Sequence, residues 1–96
     1  MTSHRIEVDV AFNVRPSKGE RRAKDGTGRL VKAMIYHGTH AECMEDILAY
    51  TAGMSGGSSE ILEIREYDFD AYYAWAKVGG EMPKPHTFST VTELTA

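Results

Sequence analysis

The sequence predicts an α+β fold in a single domain: a mainly antiparallel sheet of three to four strands, one main helix packed on one face, and a short second helix. Three observations indicate this class: an alternating apolar run near the N-terminus, a capped amphipathic helix in the middle, and turn residues between the apolar segments. A chain of 96 residues has room for one core. We therefore expect the order β-β-α-β-α-β over residues 1–96.

The first predicted strand has an apolar side chain at every second position. These positions are Ile6, Val8, Val10, Phe12 and Val14. A period of two with β-branched side chains is typical of a strand that has one face on the core and the other in water. A second strand is predicted at residues 29–37, where apolar groups on both faces favour a central position in the sheet.

The two predicted strands are joined by a flexible basic segment, residues 15–29. Because Pro16 and three glycines disfavour regular structure there, we expect an antiparallel hairpin with a long, mobile tip. The cationic residues of this basic loop are Arg15, Lys18, Arg21, Arg22, Lys24 and Arg29. Residues 1–32 contain eight Lys or Arg and four Asp or Glu, whereas residues 33–96 contain three and ten. Charge is thus divided along the chain.

The middle of the chain predicts a helix at residues 40–52. Thr39 and Glu42 have the spacing of a capping box, in which each side chain satisfies the other's backbone amide. The predicted apolar face consists of Met44, Ile47, Leu48 and Thr51. Gly53 predicts a left-handed end to the helix.

Two further strands are predicted after this helix. Residues 55–59 are rich in glycine and serine and predict a flexible connector. Residues 60–69 predict a third strand with Leu62 and Ile64 facing the core. For residues 86–96 two alternatives stay open, an edge strand or a loose C-terminal tail.

A short second helix is predicted from the aromatic residues that follow the third strand. Asp70 is its expected N-cap and Gly79 its end. Phe69 and Tyr73 are the rings we expect in the core. An extended conformation of residues 69–78 is the open alternative.

Acidic and aromatic side chains are unusually dense between residues 60 and 75. Not all of these rings fit easily into the core of so small a domain, and tyrosine and tryptophan are enriched at binding hot spots. Acids beside such rings would attract a basic partner. The predicted partner-binding residues are Glu63, Glu66, Tyr67, Asp68, Asp70, Tyr72 and Trp75. Packing of the same rings in the core is the alternative.

The residue patterns predict no catalytic site, no metal site and no cofactor. His37, His40 and Cys43 are spaced by three, but structural zinc sites need a fourth ligand and tighter paired spacings. Cys43 is better interpreted as a small buried thiol than as a nucleophile. The glycines of the basic loop do not form a phosphate loop, because a strand rather than a helix follows them. We expect a protein that is not an enzyme.

Cellular location is predicted from three absences in the sequence. The single cysteine excludes an internal disulfide and suits a reducing compartment. The first ten residues alternate charged and apolar side chains, unlike a signal peptide. No segment approaches the roughly 20 consecutive apolar residues that span a bilayer. We expect a soluble, cytoplasmic protein that does not bind membranes.

One unit of the chain consists of a predicted strand, a threonine cap, a helix, a glycine and a further strand, with the sequence AMIYHGTHAECMEDILAYTAG followed by EILEIREYD. This unit resembles the core of many small phage and mobile-element proteins. Some of these inhibit host polymerases and others are anti-CRISPR proteins. The resemblance is one of architecture and carries over no functional residue. It implies a compact cytoplasmic protein that acts by binding a large host complex.

Two functional hypotheses from different classes follow. The first is a non-enzymatic, phage-encoded inhibitor of the anti-CRISPR type, which docks on a host protein or ribonucleoprotein complex through the acidic and aromatic residues. The alternative is a small nucleic-acid-binding module that contacts phosphates through the basic loop. Self-association is compatible with both.

Overall fold

The computed structural model describes residues 3–53 and 59–95. The strands are β1 (His4–Phe12), β2 (Leu30–Gly38), β3 (Ser59–Asp68) and β4 (His86–Phe88), and the helices are α1 (His40–Ala52), α2 (Phe69–Val78) and α3 (Val91–Thr95). All strand pairs are antiparallel. The predicted α+β class is confirmed, and α3 is an additional element. Within the described residues, no helix has the length and apolar character needed to cross a membrane.

The strands lie in the spatial order β2-β1-β3-β4. β1 is therefore central and β2 is an edge strand, so the predicted central position of β2 is wrong. The apolar side chain of Ile35 on β2 is 49% exposed as a result. Charged residues on alternate positions of β1 indicated a face in water, but Asp9 pairs with a basic side chain of β3 and is only 5% exposed.

The main core lies between the sheet and α1. Alternate residues of β1 face α1, as the period of two predicts. The largest fully buried side chains are Ile6, Val8, Val10, Cys43, Ile47 and Ile64. Leu94 of α3 extends the same cluster. The prediction of a buried Cys43 is confirmed, and burial raises the pKa of its thiol.

Helix α1 begins at the predicted capping box. The Glu42 amide donates to Thr39 Oγ1 over 3.2 Å, and the Thr39 amide donates to Glu42 Oε1 over 3.1 Å. Gly53 has φ −83° and ψ −8°, so the predicted left-handed end is wrong. Leu48 is 49% exposed, because the buried stripe of the helix runs through Cys43 rather than through Leu48.

A β-bulge in β3 places Leu62 on the unexpected face of the sheet. Asp9 and Val10 are neighbours in β1, yet they pair with Glu63 and Ile61. Leu62 is therefore an extra residue on β3. It packs in a small cluster on the face opposite α1, and not in the main core beside Ile64 as predicted.

Helix α2 confirms the predicted short second helix, and residues 69–78 are not extended. Its N-cap is Asp68, whose carboxylate accepts from the Ala71 amide over 2.9 Å, so the predicted cap at Asp70 is wrong. Gly79 ends the helix with φ +77°, a conformation that favours glycine.

Of the segment for which an edge strand or a loose tail was predicted, His86–Phe88 forms the edge strand β4, and Val91–Thr95 forms the helix α3, which neither alternative predicted.

None of the residues of α2 is buried. Phe69 is half-buried and Tyr73 is 41% exposed, so neither is the core ring that we expected. The buried ring is that of Tyr67, which is 4% exposed. The reason is the position of α2, which contacts the sheet at Arg5, His37 and Tyr67, where Arg5 pairs with the other two near one end of the strands.

We expect Ile64→Ala to lower the free energy of unfolding by about 2–5 kcal/mol, because it leaves a cavity in a core position that is 0% exposed. The matched control is Ile35→Ala, also on a strand but 49% exposed, which should change stability by about 0.5 kcal/mol or less. Urea unfolding followed by circular dichroism measures both. Equal losses in the two variants would contradict this core.

Candidate functional site

An ion-pair network covers the face of the sheet opposite α1. Arg65 of β3 is at its centre and donates to both carboxylate oxygens of Asp9, over 2.8 and 2.9 Å. The same guanidinium donates to Glu7 Oε1 over 3.1 Å and to Glu63 Oε2 over 2.7 Å. Bidentate pairs of this kind fix side-chain geometry as well as adding energy. We call Arg65, Asp9, Glu7 and Glu63 the charged network.

The basic loop joins the charged network through Arg21. Its guanidinium donates to Asp9 Oδ1 over 3.2 Å and to Oδ2 over 3.0 Å. Hydrogen bonds from Arg65, assisted by those from Arg21, lower the pKa of Asp9 from 3.8 to about 2, although burial acts in the opposite direction. Asp9 in turn raises the pKa of Arg65. The buried charges are thus mutually compensated.

Arg29 is a second loop arginine with a structural role. It donates to Asp25 over 2.8 Å, to Glu60 of β3 over 3.0 Å and to the Thr27 hydroxyl over 3.0 Å. The Thr27 hydroxyl, followed by the Thr27 amide and Arg29, holds the pKa of Asp25 well below its usual range. The tip of the loop is therefore attached to β3 through the ion pair between Arg29 and Glu60.

Backbone hydrogen bonds also attach the loop to the outer edge of β2. The Val31 amide donates to the Arg21 carbonyl over 3.1 Å, and the Ala23 amide donates to the Arg29 carbonyl over 2.8 Å. Ala23 is 7% exposed and packs against Val31. The start of this edge strand is consequently covered by the protein's own loop.

The other four predicted cations of the loop are exposed. Within the described part of the chain, no hydrogen bond or ion pair engages them. They are Arg15, Lys18, Arg22 and Lys24. The structure thus divides the predicted basic residues into two that hold the fold together and four that can contact a ligand.

Aromatic rings cluster around α2. The rings of Phe69 and Tyr73 stack with centroids 4.5 Å apart. Tyr72 lies 5.1 Å from the buried ring of Tyr67 and 5.5 Å from Trp75. We call Phe69, Tyr72, Tyr73 and Trp75 the aromatic cluster.

Arg5 connects the aromatic cluster to the charged network. Its guanidinium lies 4.3 Å from the ring centroid of Tyr72, in a cation–π contact. The same group donates to Glu7 Oε2 over 3.0 Å and lies 3.0 Å from His37 Nε2. Arg5 was not among the predicted site residues, because the alternation of charged and apolar side chains in β1 indicates a face in water.

The seven predicted partner-binding residues do not form one surface. Glu66 pairs with Ile6 on the α1 face, where it lies 2.9 Å from His40 Nδ1. Tyr67 is buried, Asp68 caps α2, and Glu63 belongs to the charged network. The other three belong to α2, where Tyr72 and Trp75 contact each other and Asp70 lies on a different face of the helix.

The residues weighed as metal ligands lie in three different environments. His37 contacts the ring of Phe69, His40 contacts Glu66, and Cys43 is enclosed in the core. Among the residues that the structure describes, no group of three or more His, Cys, Asp or Glu side chains could hold a metal ion.

Comparison with known proteins gives no match: no family model fits the chain, and neither a curated protein nor a solved structure is significantly similar to it.

We expect Asp9→Asn to lower the free energy of unfolding at neutral pH by about 2 kcal/mol, the equivalent of a pKa lowered from 3.8 to about 2. A depressed pKa stabilises the folded state above pH 3.8 and loses this effect as the pH falls toward 2. The stability difference between wild type and variant should therefore shrink over that interval. Urea unfolding at several pH values measures it.

The control for this experiment is Glu81→Gln, which removes an exposed acid outside the charged network and beyond the end of α2. Its stability should follow that of the wild type at every pH. A gap between wild type and Asp9→Asn that stays constant down to pH 2 would contradict the proposed role of Asp9.

Proposed function

We propose that the protein is a non-enzymatic binding protein that docks on a host protein or nucleoprotein complex through α2. The observation that carries the proposal is that α2 holds four aromatic rings while none of its residues is buried. Tyrosine and tryptophan at such positions are the side chains on which binding hot spots are built.

The aromatic cluster is held in place before any partner arrives. The Phe69–Tyr73 stack and the Arg5–Tyr72 contact fix three of its rings from different sides. The Trp75 indole donates to the Gly80 carbonyl over 3.2 Å. Fixed side chains lose little conformational entropy when they bind, which favours affinity.

The surroundings of the aromatic cluster indicate the chemistry of the partner. Val78, which is 85% exposed, lies one helical turn after Trp75 on α2, so exposed apolar surface continues from that ring. Met82, which follows the helix, is 40% exposed. Asp70, one helical turn before Tyr73, is exposed, and so is Glu81 after the end of the helix. Acids at the rim of an apolar patch favour a partner with a basic rim.

An inhibitor of the anti-CRISPR type, or of a host polymerase, fits this surface. Protein surfaces along which guide, target or template nucleic acid passes are positively charged. An acidic rim around aromatic anchors is complementary to such a surface. We therefore propose that the protein belongs to the class of phage-encoded inhibitors.

We expect Tyr73→Ala and Asp70→Lys each to weaken partner binding, the tyrosine change by about tenfold or more. Both side chains are exposed on α2, so the fold should persist. Charge reversal at Glu66 or Asp68 is less informative, because it would break the His40 contact or the helix cap. The measurement is affinity capture from host cells, followed by titration of the purified partner.

The matched control is Leu48→Ala on α1, which is 49% exposed on the opposite side of the sheet. It should bind like the wild type. For the inhibitor class, expression in cells with an active CRISPR system should restore phage plaques, and Tyr73→Ala should reduce this effect. Unchanged affinity for Tyr73→Ala and Asp70→Lys would exclude α2 as the docking surface.

Nucleic-acid binding is the second candidate, favoured by the four exposed loop cations that have no partner among the described residues. Such contacts to phosphates weaken as salt rises. We expect replacement of Lys18, Arg22 and Lys24 by glutamine to reduce the magnitude of the slope of log K against log salt, by about two for a single strand and about three for duplex DNA. Electrophoretic shifts at low and moderate salt measure it. Absence of any shift at low salt would remove this candidate.

A further inference from the structure

A surface pocket of about 500 Å³ lies between the end of β1 and the basic loop. Three arginines line it, Arg15, Arg22 and Arg29, together with the polar side chains of Asn13 and Thr27. No acidic side chain is part of its described lining. We call this the arginine pocket.

The three arginines differ in how they are held. Arg29 forms ion pairs with Asp25 and Glu60, which hold its side chain in place at the side of the pocket and neutralise its positive charge. Arg15 and Arg22 are exposed, and among the described residues nothing pairs with their guanidinium groups. The pocket therefore presents two sets of unused donors and an uncompensated positive charge.

Gly28 sets the position of Arg22 in the pocket. A Cβ atom added at Gly28 would lie 3.3 Å from Arg22 Nη1, so the guanidinium packs directly against the glycine backbone. Gly28 has φ +70° and Gly26 has φ +87°, but a Cβ atom at Gly26 would meet nothing within 4 Å. The chain thus offers one glycine that supports Arg22 and one comparable glycine that does not.

We propose that the arginine pocket binds a phosphate group. The planar fork of a guanidinium matches two phosphate oxygens, and Arg15 and Arg22, whose guanidinium groups have no partner among the described residues, line the same pocket. The described lining contains no aromatic ring on which a base could stack, so the phosphate rather than a base is recognised. The phosphate comes from a nucleic-acid strand or from a free anion. Only the first source rests on the second candidate function.

The first test is titration of the ¹⁵N-labelled protein with inorganic phosphate, followed by NMR. The amides of Thr27 and Gly28 should shift in the wild type, and Arg22→Gln should weaken binding by about tenfold. Lys18→Gln is the matched control, because it removes one charge from the same loop but does not line the pocket. It should bind phosphate like the wild type. Equal weakening in both variants, or no amide shift in the wild type, would overturn the proposal.

The second test leaves the net charge unchanged. Gly28→Ala should weaken phosphate binding by about threefold, because the new methyl group displaces Arg22 by a few tenths of an ångström. Gly26→Ala places an alanine at a similar positive φ without touching Arg22 and should have no effect. Identical binding by the two variants would show that position within the pocket does not matter, which contradicts a defined site.

The third test identifies the source of the phosphate. Fluorescence anisotropy compares single-stranded oligonucleotides that carry or lack a 5′-phosphate. If wild type binds inorganic phosphate and neither oligonucleotide, the pocket stands and the nucleic-acid function falls. If oligonucleotides bind equally to wild type and Arg22→Gln, the nucleic-acid function stands and the pocket is not its site. Tyr73→Ala should leave phosphate binding unchanged, which separates the pocket from α2.

Discussion

The bidentate pair between Arg65 and Asp9 is the constraint on which the second face of the sheet depends. β1 occupies the middle of the sheet although alternate residues along it are charged. A central position is compatible with those charges only if each finds a partner, because an unpaired buried charge is costly. Arg65 provides that partner from β3, and Arg21 reaches the same carboxylate from the basic loop. Strand order and loop position are thus linked through one side chain.

Because the charges in the middle of this face neutralise one another, the two proposed binding surfaces lie at its two ends. At one end, Arg5 donates to Glu7 of the charged network and contacts the ring of Tyr72, and so connects the network to the aromatic cluster. At the other end Arg29 is fixed to β3 and forms the wall of the arginine pocket. The proposed protein-docking surface and the proposed phosphate site are therefore separate, and each is positioned by an arginine that is itself held by carboxylates.

Local signals in the sequence were enough for the class of fold and for α1. The capping box of Thr39 and Glu42 depends only on residues close in the chain, and it is formed as predicted. The strand order depended on Arg65 meeting Asp9, residues that are far apart in sequence, and local alternation cannot reveal such a pair. The bulge at Leu62 is likewise a property of strand pairing and not of the residue itself. The same limit applies to the candidate site. The sequence identifies the cations of the basic loop, but it does not show that Arg21 and Arg29 are paired with acids of other segments.

The complete enclosure of Cys43 has a practical consequence. It is the only cysteine of the chain, and the core between α1 and the sheet covers it fully. An alkylating reagent can reach its sulfur only while the helix has moved away from the strands, and burial also keeps the thiol protonated. The rate of alkylation in native buffer therefore reports how often the core opens. Cys43 is thus an intrinsic probe of transient opening of the core in the native state.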